Sequence, residues 1–72
     1  MPRPTELHRL DEAKVKAFSP SGLAVLVEVE GEDYWFPFSQ IREPDELDIR
    51  ASRGLTIEMV VPAWMAKEKG LI

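Results

Sequence analysis

Apolar and polar residues alternate in short runs along most of this chain, and this alternation restricts the folds open to it. In the run 23–30, leucine or valine occupies every second position. Successive side chains of a β-strand leave on opposite faces, so such a run predicts a strand with one face in a core. Comparable runs cover 12–18, 34–41, 46–51 and 55–61, with turn-forming residues between them. Five short strands spaced about ten residues apart predict an all-β, mainly β fold: a small five-stranded barrel or sandwich, SH3-like or OB-like.

The last eleven residues follow a different pattern, which predicts a short C-terminal helix over 62–70. Pro62 suits the first helical position, where a backbone N–H has no partner to lose. Gly70 suits the left-handed position after the helix, and Leu71 supplies the apolar contact that commonly follows it. Because so short a helix is not stable alone in water, we expect Trp64 to pack on the sheet and close an open end of the barrel.

A chain of 72 residues is long enough for one domain. We assign residues 12–72 to a single small β-barrel domain that includes the C-terminal helix. Residues 1–11 contain two prolines and little periodicity, which predicts a loosely ordered N-terminal arm.

The absence of cysteine favours a reducing compartment, since small secreted domains usually depend on disulfides. No apolar run reaches the roughly 18 residues needed to span a bilayer, and the polar N-terminal residues do not resemble a signal peptide. We therefore expect a cytoplasmic protein without a membrane anchor. A domain this small has little room for a deep pocket beside its core, so we expect no small-molecule substrate.

The sequence contains no residue pattern typical of catalysis or metal binding. His8 is the single histidine, and without cysteine it has no companion for a metal site or a catalytic triad. Phosphate-binding and dinucleotide-binding glycine motifs are also missing from the sequence. We therefore predict a protein that is not an enzyme and that needs no cofactor or metal.

Negative charge is concentrated in one part of the chain, whose overall net charge is −4. Residues 28–48 contain eight acidic residues and one basic residue, a net −7, and the remaining residues carry five acidic and eight basic residues, a net +3. Charges of this kind ordinarily serve solubility. Alternatively, they form an acidic surface that attracts a basic partner and repels nucleic-acid phosphates.

Four of the six aromatic residues lie in 34–41, on both faces of the strand predicted there. Pro37 within this run cannot donate to a sheet ladder, which places the strand at a sheet edge or at a bulge. One aromatic face is expected to enter the core; the other is covered by Trp64 or the N-terminal arm, or remains exposed for a partner. The candidate binding residues are the aromatic side chains and the acids beside them: Tyr34, Trp35, Phe36, Phe38, Trp64, Glu30, Glu32 and Asp33.

Two segments together resemble a group of small uncharacterised proteins from bacteria, their phages and mobile elements. The segments are Trp35–Ile41, and Val61–Leu71 about twenty residues further on, and the pattern is W-x-P-x-S-x-I … P-x-W-x-A-x-x-x-G-L. The resemblance extends over roughly residues 13–71. Phe38 stands where a lysine is usual in that group, which favours an apolar surface there. The resemblance implies a bacterial or phage origin and a compact β fold, and no catalytic activity.

Three functions remain open at this point. The first is a non-enzymatic module that binds another protein, as a phage or mobile-element accessory or an inhibitor of a host factor. The second is a nucleic-acid-binding OB-like or SH3-like barrel that uses Lys14, Lys16, Arg50 and Arg53. The third is a structural homodimer whose interface covers the aromatic residues.

Overall fold

The computed structural model describes residues 6–72. These residues form four β-strands, a 3-10 turn (Phe38–Gln40) and two short α-helices. In chain order the strands and α-helices are β1 Leu7–Phe18, β2 Ala24–Val29, β3 Glu32–Pro37, α1 Glu46–Arg50, β4 Thr56–Pro62 and α2 Ala63–Glu68.

The strands form one open antiparallel sheet in the order β3-β2-β1-β4. The predicted mainly β class with a short C-terminal helix is therefore confirmed. The predicted strand number is wrong, because the described part of the chain contains four strands in its sheet and the segment 46–51 does not join them.

The segment 46–51 forms α1, where the sequence pattern predicted a strand. The Asp45 carboxylate accepts a hydrogen bond of 2.9 Å from the Asp48 backbone N–H, which caps the start of the helix. Arg50 lies in the last turn, where its charge suits the helix dipole. Alternation suggested that Leu47 and Ile49 share a buried face, yet only Ile49 is buried. One turn of helix buries Ile49 and provides backbone hydrogen bonds within the segment itself. The segment therefore forms a helix and not a strand.

The long strand β1 connects two halves of the sheet. Its Leu7–Lys14 half pairs with β4, and its Lys14–Phe18 half pairs with β2. The prediction of a loose arm over residues 1–11 is thus wrong for residues 7–11, which belong to β1; residues 1–5 lie outside the described residues. Leu10 explains why residues 7–11 form a strand, because it is buried in the core and holds the first half of β1 against β4.

Two register shifts bend β1, one on each side of its middle. The shift between Leu10 and Ala13 affects pairing with β4, and the shift between Val15 and Ala17 affects pairing with β2. Each adds an unpaired residue and increases the local twist. Because of the second shift, Phe18 takes the inner face opposite Val25, and Ala17 moves to the outer face opposite Leu26.

A tight turn joins β2 and β3. Glu30 and Gly31 both have positive φ angles, 53° and 83°, as required at the two central positions of a type I′ hairpin. Glu32 and Asp33 follow this turn directly and belong to β3. Pro37 ends β3 at the edge of the sheet, as its missing N–H predicted.

One hydrophobic core lies between the inner face of the sheet and the two helices. Its largest members include Phe36, Ile49 and Met59, all fully buried. From α2, Met65 and Ala66 pack into this core. The buried hydrophobic cluster contains Leu10, Ala13, Val15, Val25, Val27, Val29, Phe36, Phe38, Ile49, Met59, Val61, Met65 and Ala66.

The end of α2 has the hydrogen bonds of a Schellman motif. The Leu71 N–H donates to the Ala66 carbonyl at 2.8 Å, and the Gly70 N–H donates to the Lys67 carbonyl at 3.1 Å. Gly70 has a φ of 79°, the left-handed conformation that glycine adopts without steric cost. Leu71 packs against the core, as predicted. The helix is shorter than predicted, since Pro62 ends β4 and only caps α2.

Candidate protein-binding surface

The aromatic residues proposed as a binding surface are divided among three environments. Phe36 and Phe38 lie in the core, so their prediction as surface residues is wrong. Tyr34 is half-buried and packs against the core. Trp35 and Trp64 are 45% and 40% exposed, which makes them the large aromatic surfaces available to a partner.

Trp35 is the largest residue of an apolar area on the outer face of the sheet, where it lies on the edge strand β3. It pairs with Leu26 on β2, and Leu26 pairs with Ala17 on β1. The next outward pair along the same strands is Ala24 with Pro37. These five residues, Ala17, Ala24, Leu26, Trp35 and Pro37, are called here the outer apolar patch. Alternation explains the patch, since the intervening residues Val25, Val27 and Phe36 supply the core.

A charged cluster borders the outer apolar patch. The Lys16 ammonium donates to both carboxylate oxygens of Asp33, at 3.1 and 3.3 Å, and lies 3.5 Å from the Glu28 carboxylate. The hydrogen bond and the charge of Asp33, with a smaller contribution from Glu28, raise the pKa of Lys16. One ammonium thus faces two carboxylates, Asp33 and Glu28, which form the acidic border of the patch, and Lys14 lies opposite Glu28 in the strand pairing.

The other predicted acidic residues have separate surroundings. The Tyr34 hydroxyl donates to Glu32 at 2.8 Å, and this hydrogen bond raises the pKa of Tyr34. Glu30 is exposed in the hairpin turn. Of the three predicted acids, only Asp33 joins the cluster beside the outer apolar patch.

The structure does not bring the two exposed tryptophans together. Trp64 belongs to α2, which packs into the core on the inner face, whereas Trp35 projects from the outer face. The prediction that Trp64 itself packs on the sheet is wrong, because its neighbours Met65 and Ala66 make those contacts and leave Trp64 exposed.

Arg50 has a structural role that the sequence reading missed. Its guanidinium carbon lies 4.6 Å from the centre of the Phe38 ring and 5.4 Å from that of Phe18. The same group donates to the Gly22 carbonyl at 2.6 Å and to the Glu46 carboxylate at 2.9 Å. Arg50 therefore joins α1 to the β1–β2 turn and covers two core rings. The sequence gives little indication of this role, because Phe18, Phe38 and Gly22 are distant from Arg50 along the chain.

Within residues 6–72, no three histidine, cysteine or acidic side chains are grouped closely enough to hold a metal ion. His8 lies half-buried in β1.

In the part of the chain that the structure describes, neither helix combines the length and the hydropathy needed to cross a bilayer.

No protein family, curated protein or solved structure matches this chain.

Proposed function

We propose that this protein is a non-enzymatic binding module that engages another protein through the outer apolar patch and its acidic border. The observation that carries the proposal is the position of Trp35, 45% exposed at the edge-strand end of an apolar row on a sheet face. The buried residues of α1 and α2 belong to the core on the opposite face, so neither helix buries its apolar residues against this patch. Apolar surface of this kind on a small domain is a typical protein-binding feature.

Tryptophan suits the centre of such an interface, because truncation of interface tryptophans commonly accounts for much of the binding energy. Here the half-buried Leu26 and Ala17 widen the apolar area around Trp35. The border of Asp33, Glu28 and Lys16 would favour a partner with an apolar contact surface and basic residues at its edge. A cytoplasmic accessory or host-factor inhibitor of phage or mobile-element origin remains our proposed biological setting.

A nucleic-acid-binding barrel of the SH3-like or OB-like kind is the second candidate. Base stacking on Trp35 would require cations beside the ring that are free to contact phosphates. Lys16 at this border already faces two carboxylates, and Lys14 lies opposite Glu28 in the strand pairing. Arg50 is bound to Glu46 and Gly22. These pairings favour the protein-binding function. A filter-binding titration with single-stranded DNA at low salt tests the alternative, and saturable binding lost in Trp35→Asp would support it.

The third candidate, a structural homodimer that covers the aromatic residues, would place two outer apolar patches together. Light scattering of Trp35→Asp distinguishes it, because only a dimer formed through this patch would dissociate.

The test of the main proposal compares Trp35→Asp with Trp64→Asp. The two tryptophans have similar exposure on opposite sides of the molecule, so each substitution serves as the control for the other. We expect wild type and Trp64→Asp to retain the same specific protein from a bacterial lysate and Trp35→Asp to lose it. Circular dichroism establishes that both variants are folded. Recovery of identical proteins by all three forms would contradict the proposal.

A further inference from the structure

We propose that the first half of β1 is a second association site, where two copies of the chain pair edge to edge in antiparallel orientation. The site lies apart from the outer apolar patch and does not depend on the proposed function. Its basis is a strand edge whose backbone groups have no partner in the described structure.

The hydrogen bonds of Val60 establish which way the edge faces. Val60 donates to the Glu43 carbonyl and accepts from the Arg42 N–H, both at 2.8 Å. It lies opposite Arg9 in the β1–β4 ladder. In an antiparallel ladder a residue directs both backbone groups to one side, and its neighbours direct theirs to the other. Because Val60 directs both groups away from β1, Arg9 directs both of its groups away from β4.

The same alternation assigns the neighbouring residues. The Glu6 carbonyl accepts a hydrogen bond from the Ala63 N–H at 2.8 Å, so residues 6, 8 and 10 face β4. Leu7 and Arg9 consequently face the opposite side, and the register shift after Leu10 ends this alternation. Pairing of β1 with β2 begins only at Lys14, so no strand within 6–72 bonds to this side.

Open space lies beside this edge. A cleft of about 580 Å³ separates residues 8–12 of β1 from Val29, Glu30 and Leu71. The cleft opens where β2 ends at its hairpin turn, which is the side on which a further strand would continue the sheet.

The remaining sheet edges are protected, which singles out this one. The edge of β4 is covered by Arg42 and Glu43. The edge strand β3 carries Pro37, which has no N–H, and charged residues at its start. Proline, charge and covering segments are the usual protection of sheet edges against pairing. The first half of β1 has neither a proline nor a covering segment on its free side within the described chain, and its charged residues Arg9 and Asp11 are of opposite sign.

Charge complementarity favours a second copy as the occupant. In an antiparallel pair centred on Leu10 of both chains, Arg9 of each chain lies opposite Asp11 of the other. Arg9 belongs to the free row, so its backbone N–H and carbonyl face the partner strand in this register. Arg9 and Asp11 are exposed, and the bond of Arg9 to Glu58 uses one of its five N–H donors. The pairing is symmetric and closed, as expected of a twofold dimer.

Sedimentation velocity measures the association, with the 8.2 kDa chain as the monomer reference. We expect concentration-dependent dimers on approaching about 1 mM, where an interaction of roughly −4 kcal/mol becomes half populated. Arg9→Pro removes the free N–H and leaves the β1–β4 hydrogen bonds in place, so we expect a dissociation constant at least about tenfold higher in a folded protein. Trp35→Asp should leave the dimer unchanged, which separates this site from the outer apolar patch.

A charge exchange tests the register. Arg9→Asp and Asp11→Arg each place like charges opposite one another in the homodimer, so each variant alone should be monomeric. An equal mixture restores opposite charges at both positions, and we expect it to form a heterodimer. The exchange remains informative if Arg9→Pro fails to fold.

Three results would overturn the proposal. One is a strictly monomeric mass over the whole concentration range. Another is a dimer that Trp35→Asp dissociates and Arg9→Pro does not. The third is hydrogen exchange at the Leu7 and Arg9 amides that slows only when a different protein is added, which would make that protein the occupant.

Discussion

At the scale of single residues, the position of a side chain in space determines its role more than its type does. Phe36 and Trp35 are neighbours in a strongly aromatic run, yet one is fully buried and the other 45% exposed. Strand geometry makes them alternate, and the position of the core selects which of them is inside. Arg50 likewise acts as a packing residue, since two rings and two hydrogen-bond acceptors surround its guanidinium.

We expect Arg50→Ala to lower the free energy of unfolding by about 1–2 kcal/mol, through loss of the ring contacts and of the hydrogen bond to Gly22. Arg50→Lys should recover only part of this loss, because an ammonium cannot reproduce the planar contacts of a guanidinium. Urea unfolding measures the difference. Arg53→Ala, at an exposed position, is the matched control, and an equal effect of the two alanine substitutions would refute the role of Arg50.

The hydrogen bond between Lys16 and Asp33 predicts a change of stability with pH on the alkaline side. The pKa of Lys16 is raised above its ordinary 10.5, so the protonated form is favoured in the folded state. The stabilisation that protonated Lys16 provides is fully present below pH 10.5 and is lost as the pH rises through the raised pKa. We expect Asp33→Asn to lose stability less steeply than wild type in that range, whereas Glu68→Gln should follow wild type. Parallel curves for Asp33→Asn and wild type, in urea unfolding at several pH values, would exclude the effect.

At the scale of secondary-structure elements, α1 shows how local capping and burial compete with an alternating pattern. The run 46–51 has the alternation of a strand, but Asp45 precedes it as a helix cap and Ile49 is its buried residue. A five-residue helix has little intrinsic stability, so its cap and its anchor in the core are both needed. Pairing as a fifth strand would require a free sheet edge, and the chain uses residues 42–43 for the edge of β4.

Removal of the cap should therefore destabilise α1. Asp45→Ala is expected to lower the free energy of unfolding by about 1 kcal/mol. Asp45→Ser should retain most of the stabilisation by the cap, because serine also caps helix starts. Hydrogen exchange of the Asp48 amide, which donates to Asp45, provides a local measurement. Unchanged exchange in Asp45→Ala would show that the cap contributes nothing.

At the scale of the whole molecule, the same sheet presents surfaces with different consequences. The inner face is closed by α1 and α2, the outer apolar patch is proposed for another protein, and the free half of β1 is proposed for a second copy. The two sites involve different residues and different interactions. Association at the outer apolar patch would bury side chains, whereas association at β1 would form backbone hydrogen bonds. Trp35→Asp and Arg9→Pro should therefore each abolish one association and leave the other intact.

The local signals in the sequence predicted the parts of the fold that depend on neighbouring residues. Alternation predicted strands over 23–30 and 55–61, where the structure has β2 and β4, because side-chain direction along a strand depends only on the backbone. The end of α2 at Gly70 and Leu71 was predicted for the same reason, since the hydrogen bonds that end a helix lie within a few residues.

Only the tertiary structure decided features that join distant parts of the chain. The bulges that turn Ala17 outward, the burial of Phe38 beneath Arg50, and the free edge at Arg9 all depend on which strand lies alongside β1. Short-range patterns carry no information about that neighbour. Strand order follows from burying one shared set of apolar side chains at close packing, which is a property of the entire chain.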